Sequence, residues 1–130
     1  MENVENRIIA DTYVLINFMR GKETELIARL SKEPVLGTTD INAFELYYGA
    51  YKSSRQDENL AATKGLLNSI FLASTSEDSM EMAAKIIVDL EKKGKVIDIK
   101  DLLIASICLT NSFSLLTNNK KNFANVEGLK

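Results

Sequence analysis

Residues 7–21, RIIADTYVLINFMRG, rise through Ile8, Ile9 and Ala10 to a single carboxylate, Asp11, and then turn apolar again. The first four residues have the length and content of a buried strand, whereas the run after Asp11 repeats its apolar positions at helical spacing. A strand that ends on a polar residue and passes at once into a helix begins a crossover unit. The same alternation continues along the chain. Strands are expected at 7–10, 35–38, 70–73 and 114–117, and helices at 12–19, 23–31, 41–52, 59–68, 79–93 and 100–111. Such an order calls for a parallel sheet covered on both faces. The expected fold class is therefore α/β, a three-layer α/β/α sandwich with a central parallel sheet.

The chain has 130 residues, of which 45% are hydrophobic and 26% charged, enough to bury one sizeable core. It has one proline, Pro34, and no repeat or Gly/Ser linker, so residues 1–130 are expected to form a single domain. The one cysteine, Cys108, lies in the apolar run LLIASICL, which leaves no disulfide or thiolate zinc site and fits a reducing, cytoplasmic setting. No apolar stretch reaches the roughly 18 residues of a membrane span, and MENVEN lacks the basic and apolar regions of a signal peptide. A soluble, unexported protein is expected.

Histidine is absent altogether. That removes the commonest acid–base side chain near neutral pH and the commonest zinc and copper ligand, and with them triads, zincins and histidine-based nucleases. Carboxylates, lysines, hydroxyls and a bound hard cation remain as tools. A net charge of −2 argues against a broad phosphate-binding surface, although local basic patches stay open.

In open parallel sheets ligands bind beyond the carboxyl ends of the strands. Asp11 stands there, although Asp11 or Thr12 would equally serve as a helix cap. In TTDINAFELYYGAYKS, Glu45 lies in the first turns of the helix after the second strand; alone it reads as a solvated face or a capping partner for Asn42. In VIDIKDLLIASICL, Asp98 and Asp101 are spaced as N-cap and N3, and Thr117, Asn118 and Asn119 end the last strand where turn chemistry would suffice. Taken together, these positions all fall at strand ends or helix starts and share one available crevice.

In this order and at these separations, ADTYVLINFMRG, TTDINAFELYYGAYKS and GKVIDIKDLLIASICLTNSFSLLTNNKKNFANVEGL resemble the PIN domain, most closely its VapC-type toxin ribonucleases. The resemblance covers nearly the whole chain, and its most specific pieces are the aspartate before LLIAS, the ELYYGA run and LLTNNKKNF ending in VEGL. It implies a divalent-metal-dependent endoribonuclease, the toxin of a toxin–antitoxin pair, with Mg2+ or Mn2+ held by Asp11, Glu45, Asp101 and Asn119. Thr12 and Thr117 match the polar residues expected beside the substrate. A homodimer with two acidic pockets along one groove is implied as well, with a small VapB-type antitoxin bound across it. Phe18, Met19 and Tyr47 are candidates for its apolar anchoring. Two positions depart from the pattern: Asn119 stands where many relatives carry aspartate, and Tyr13 where a small hydroxyl or amide residue is often found.

Carboxylates brought to about 5 Å from one another repel by ~3 kcal/mol per pair at an effective dielectric of about 20, so such a site needs a positive charge among them. Oxygen ligands alone select magnesium or manganese, and such an ion would neutralise a phosphodiester and orient an attacking water without any histidine. Lys120 and Lys121, next to Asn119, are candidates to hold the RNA backbone, or are simply solvated. Asp98 is assigned to the helix cap. The tyrosines of ELYYGAY are assigned to core or dimer packing, and Met80, Met82 and residues 86–90 to the core. Three rival readings remain: a PIN nuclease of RNA processing without an antitoxin, an inactive binding domain suggested by Asn119 and Tyr13, and a phosphoacceptor module. The last wants an aspartate at the end of the third strand, where FLASTS has none.

Overall fold

A computed structural model describes residues 7–21 and 36–129; the helix expected at 23–31 and Val35 lie outside the described residues. Four parallel strands, β1 (Ile8–Ala10), β2 (Leu36–Thr39), β3 (Phe71–Ala73) and β4 (Ser114–Leu116), pair in the order β3-β2-β1-β4. Ile8 lies opposite Leu36 on one side and Ser114 on the other. The helices are α1 (Thr12–Met19), α2 (Asp40–Lys52), α3 (Gln56–Ser69), α4 (Glu77–Lys92) and α5 (Ile99–Asn111), followed by a 3-10 turn at Lys120–Phe123.

Successive strand residues point to opposite faces, and β4 shows what that achieves. Leu116 packs with Ala10, Val14, Leu15, Leu46 and Leu66, whereas Leu115 packs with Ile104, Ala105, Phe123 and Val126. Helices α1, α2 and α3 thus cover one face, and α4 and α5 the other. This is the three-layer sandwich read from the sequence. Gly37 in β2 is required by close packing, since a Cβ there would stand 2.5 Å from the ring of Phe71. That ring in turn lies beneath the Arg7 guanidinium, 5.2 Å from its centroid.

Several boundaries differ from expectation for physical reasons. Helix α3 starts at Gln56 rather than 59, because Gln56, Asp57 and Glu58 add no apolar period yet place two acids at the positive end of the helix. Helix α2 is capped by Thr39, with Asn42 as the third residue of a capping box, so Glu45 is not a capping partner of Asn42. Met80 and Val88, expected in the core, are 42% and 48% exposed; α4 packs instead through Ala83, Ile86 and Leu90. Tyr48 and Tyr51 are likewise outside the core. They share the outer ridge of α2 with Phe44, whose ring centroid lies 6.1 Å from that of Tyr48, while Ala43, Leu46 and Ala50 face inward.

The strand order places the crevice. From β1 the chain steps outward to β2 and β3, then returns so that β4 lies on the other side of β1. The order reverses between β1 and β4, and ligands of open α/β sheets bind at such a reversal, beyond the strand ends.

Candidate active site

Asp11 closes β1 at this reversal. Its N–H continues the ladder to the Leu116 carbonyl at 2.9 Å, and its Oδ1 caps α1 by accepting the Thr12 N–H at 2.8 Å. From the far side of the crevice, Thr117 Oγ1 donates to Asp11 Oδ2 at 2.8 Å. The capping and crevice readings of Asp11 are therefore both true of one side chain. Glu45 comes in from α2, where its Oε1 accepts the Thr12 hydroxyl at 2.9 Å and its Oε2 stands 3.8 Å from Lys100 Nζ. Buried Asn42 donates from Nδ2 to Asp11 Oδ1 at 3.0 Å and to Thr12 Oγ1 at 2.9 Å.

Asp101 arrives on the first turn of α5. Asp98 does the capping there, its Oδ1 accepting the N–H groups of Lys100 and Asp101 at 2.9 and 3.4 Å, which leaves the Asp101 carboxylate for other work. Burial first, and then the charges of Asp98, Asp11 and Glu45, push its pKa up to about 6, against a hydrogen bond from the Asn122 side chain. That repulsion places the three carboxylates in one electrostatic neighbourhood. Cys108 takes no part: it is fully buried, and burial pushes its thiol up to about 12.

Hydrogen bonds thus join Asp11, Glu45, Thr12 and Thr117, and Asp101 feels the charges of Asp11 and Glu45. The hydroxyls of Thr12 and Thr117 donate to Glu45 Oε1 and Asp11 Oδ2, since poorly hydrated carboxylates need donors. Asn119 is exposed and joins the cluster through its backbone N–H, which donates to Thr117 Oγ1 at 3.0 Å. Lys120 and Lys121 are exposed on the 3-10 turn, and Lys120 borders a cavity of about 190 Å³ with Leu115, Thr117 and Phe123. Between α1, α2 and α3 runs a groove of about 330 Å³, with Glu45 at its wall and Ile16, Met19, Leu46 and Ala62 along it. Of the anchors expected for a partner, only Met19 lines this groove; Phe18 packs against the core and Tyr47 is half-buried.

Three participants escaped sequence reading. Nothing in the sequence separates Asn42 from a capping residue, singles out Lys100 among the lysines or marks Asn122 as the partner of Asp101. Among the described residues no three acidic, histidine or cysteine side chains stand close enough to enclose an ion unaided. The donor set, all oxygen with no histidine and a buried thiol, fits a hard cation such as magnesium and does not fit zinc or copper.

A parallel sheet whose first strand ends on an aspartate linked through Thr12 to a glutamate is the arrangement that the resemblance to the PIN domain implies. The family model of the PIN domain matches residues 8–129, and the chain belongs to the PIN-domain family. Within that family its relatives include VapC proteins. It is 30% identical over 132 residues to ribonuclease VapC1 of Methanocaldococcus jannaschii, covering the whole of this chain and 90% of that protein. It is 26% identical over 125 residues to ribonuclease VapC2 of Haemophilus influenzae, covering 95% of each. Among solved structures, the VapBC2 complex of Rickettsia felis, bound to a DNA fragment from its promoter, contains a chain of the same fold. The TM-score is 0.86, at 25% identity and 94% coverage of each chain. Among the described residues no helix is long and apolar enough to cross a membrane.

Proposed function

We propose that this chain is a VapC-type endoribonuclease, a divalent-metal-dependent hydrolase of RNA phosphodiesters and the toxin of a toxin–antitoxin pair. The observation that supports it most is the hydrogen-bonded pairing of Asp11 with Glu45 through Thr12 and Asn42 at the β1–β4 reversal of a PIN fold, with Asp101 coupled to both by charge. These three carboxylates would hold the ion, magnesium or manganese, with the Asn119 amide oxygen as a neutral fourth ligand. When bound, the ion supplies charge neutralisation of the phosphodiester and an activated water.

The chain's own residues do the rest. Asp11 is held by donors from Thr12, Asn42 and Thr117, so its orientation is set before an ion or substrate arrives. Glu45 is held between the Thr12 hydroxyl and Lys100. Lys120 and Lys121, exposed beside the cluster, attract the RNA backbone.

The groove along α1, α2 and α3 suits a small VapB-type antitoxin, because its apolar floor leads to Glu45. An arginine or lysine of that partner, set among the carboxylates, would compete with the ion. The outer ridge of Phe44, Tyr48 and Tyr51 suits the homodimer implied by the resemblance, and the cytoplasm is where such a protein meets its RNA.

Expression in a bacterial host, with and without the small protein encoded beside this one, tests the pairing. Growth arrest that the neighbour relieves and that Asp11→Asn abolishes is expected. A harmless wild-type chain that copurifies with no partner would overturn the toxin reading.

A further inference from the structure

We infer that Asn42 is a positioning residue whose side-chain amide fixes the spacing of Asp11 and Glu45, and through it the affinity of the site for its divalent cation. The inference rests on the nuclease reading above and extends Asn42 from one donor to Asp11 to the group that sets both acids.

The Asn42 side chain is completely buried, and its orientation is forced. Its Oδ1 accepts the Thr39 N–H at 3.3 Å and the Thr39 hydroxyl at 2.7 Å. A backbone N–H can only donate. The Thr39 hydroxyl then donates too, because the atom it meets is that same acceptor-only oxygen, and its own oxygen accepts the Asn42 N–H at 3.1 Å. The amide oxygen therefore faces Thr39, and the NH2 group faces the crevice.

The two amide hydrogens then diverge. One goes to Asp11 Oδ1 at 3.0 Å and the other to Thr12 Oγ1 at 2.9 Å. Since Thr12 Oγ1 accepts from Asn42, its single hydrogen is free for Glu45 Oε1, which it reaches at 2.9 Å. A single rigid, planar group thus sets one carboxylate directly and the other through one hydroxyl. The hydrogen bonds run outward from Thr39 through Asn42 to both acids.

Capping alone does not require this. Helix α4 begins with the same kind of box, Ser76 and Ser79, in which a serine hydroxyl at the third position receives the cap N–H at 2.8 Å. A serine at position 42 would keep that bond. What it would lose is the NH2 group, the part that faces the acids. The amide is surplus to the cap and is spent on the site.

The same comparison supplies the test. In Asn42→Ser the box survives while the donor to Asp11 and the donor that orients the Thr12 hydroxyl both disappear. Binding of Mn2+ alone, followed by electron paramagnetic resonance on the full-length protein, is expected to weaken by about ten- to a hundredfold, the usual loss when a hydrogen-bond partner of a metal ligand is removed. The cleavage rate should fall through kcat with KM for RNA nearly unchanged. Thr12→Val cuts only the branch to Glu45, so it should lose Mn2+ affinity to a smaller degree; it carries the test by itself if Asn42→Ser does not fold. Folded variants that bind Mn2+ as the wild type does, whatever their melting temperatures, would overturn the role of Asn42 and leave the nuclease reading standing. A wild-type protein that binds no Mn2+ and cuts no RNA would overturn both.

Discussion

Lys100 Nζ stands 3.8 Å from Glu45 Oε2, so the chain brings its own cation to one of the three carboxylates. An incoming metal ion must compete with that ammonium for Glu45. The pair is half-exposed, and its contribution to stability is correspondingly small. We expect Lys100→Met to change stability by less than about 0.5 kcal/mol in a denaturant titration. The magnesium concentration that gives half-maximal cleavage should fall. A rise would mean that Lys100 helps to bind substrate instead of competing with the ion.

Asp101 predicts a pH effect whose sign is opposite to that of an ordinary paired carboxylate. Its folded-state pKa is pushed up to about 6, above the ordinary carboxylate range, so the folded chain holds this proton more tightly than the unfolded chain does. The metal-free protein is therefore favoured at low pH, and this contribution is lost as pH rises from about 4 through about 6. Melts of wild type and Asp101→Asn over that range should diverge, with the variant the more stable at pH 7. The same proton competes with the ion, so metal affinity should climb through pH 6 in the wild type.

Asp98 separates capping from the ion. Asp98→Ala removes the acceptor for the Lys100 and Asp101 N–H groups and should cost about 1 kcal/mol of stability. Cleavage per folded molecule should persist, measured where the variant is fully folded. A loss larger than that of Asp101→Ala would exchange the roles of the two aspartates.

Gly37 tests the packing beneath the site. A methyl group there meets the body of the Phe71 ring at 2.5 Å, so Gly37→Ala should destabilise the chain by about 1–3 kcal/mol, measured by denaturant unfolding. Removing the ring as well, in Gly37→Ala with Phe71→Leu, should recover part of the loss.

The junction of β1 and α1 was legible because Ile8, Ile9 and Ala10 form a short apolar run and the apolar period changes at Asp11. The layers followed from repetition of that change. The start of α3 was not legible, since Gln56, Asp57 and Glu58 leave no apolar trace on a solvated face. Met80 and Val88 were misplaced because helical spacing identifies an apolar stripe without saying how wide the buried part is. At the site, Asp11 could be placed by strand position, whereas Glu45 and Asp101 needed the family resemblance to lift them above capping and solvation. Asn42 and Thr12 show what one-dimensional reading leaves out. Their donors span 30 or more residues of sequence, and only the pairing of β1 with β2 brings those ends together.

The most direct test of the account is cleavage of RNA by the purified protein as magnesium or manganese is added, for the wild type, Asp11→Asn, Glu45→Gln and Asp101→Asn. Each substitution removes ligand charge from the crevice while relieving repulsion among the acids, so the variants should stay folded without metal. The account predicts cleavage by the wild type that requires the ion and stops with a chelator, and loss of most of that cleavage in every variant. Wild-type cleavage rates with unchanged metal dependence in all three variants would contradict it.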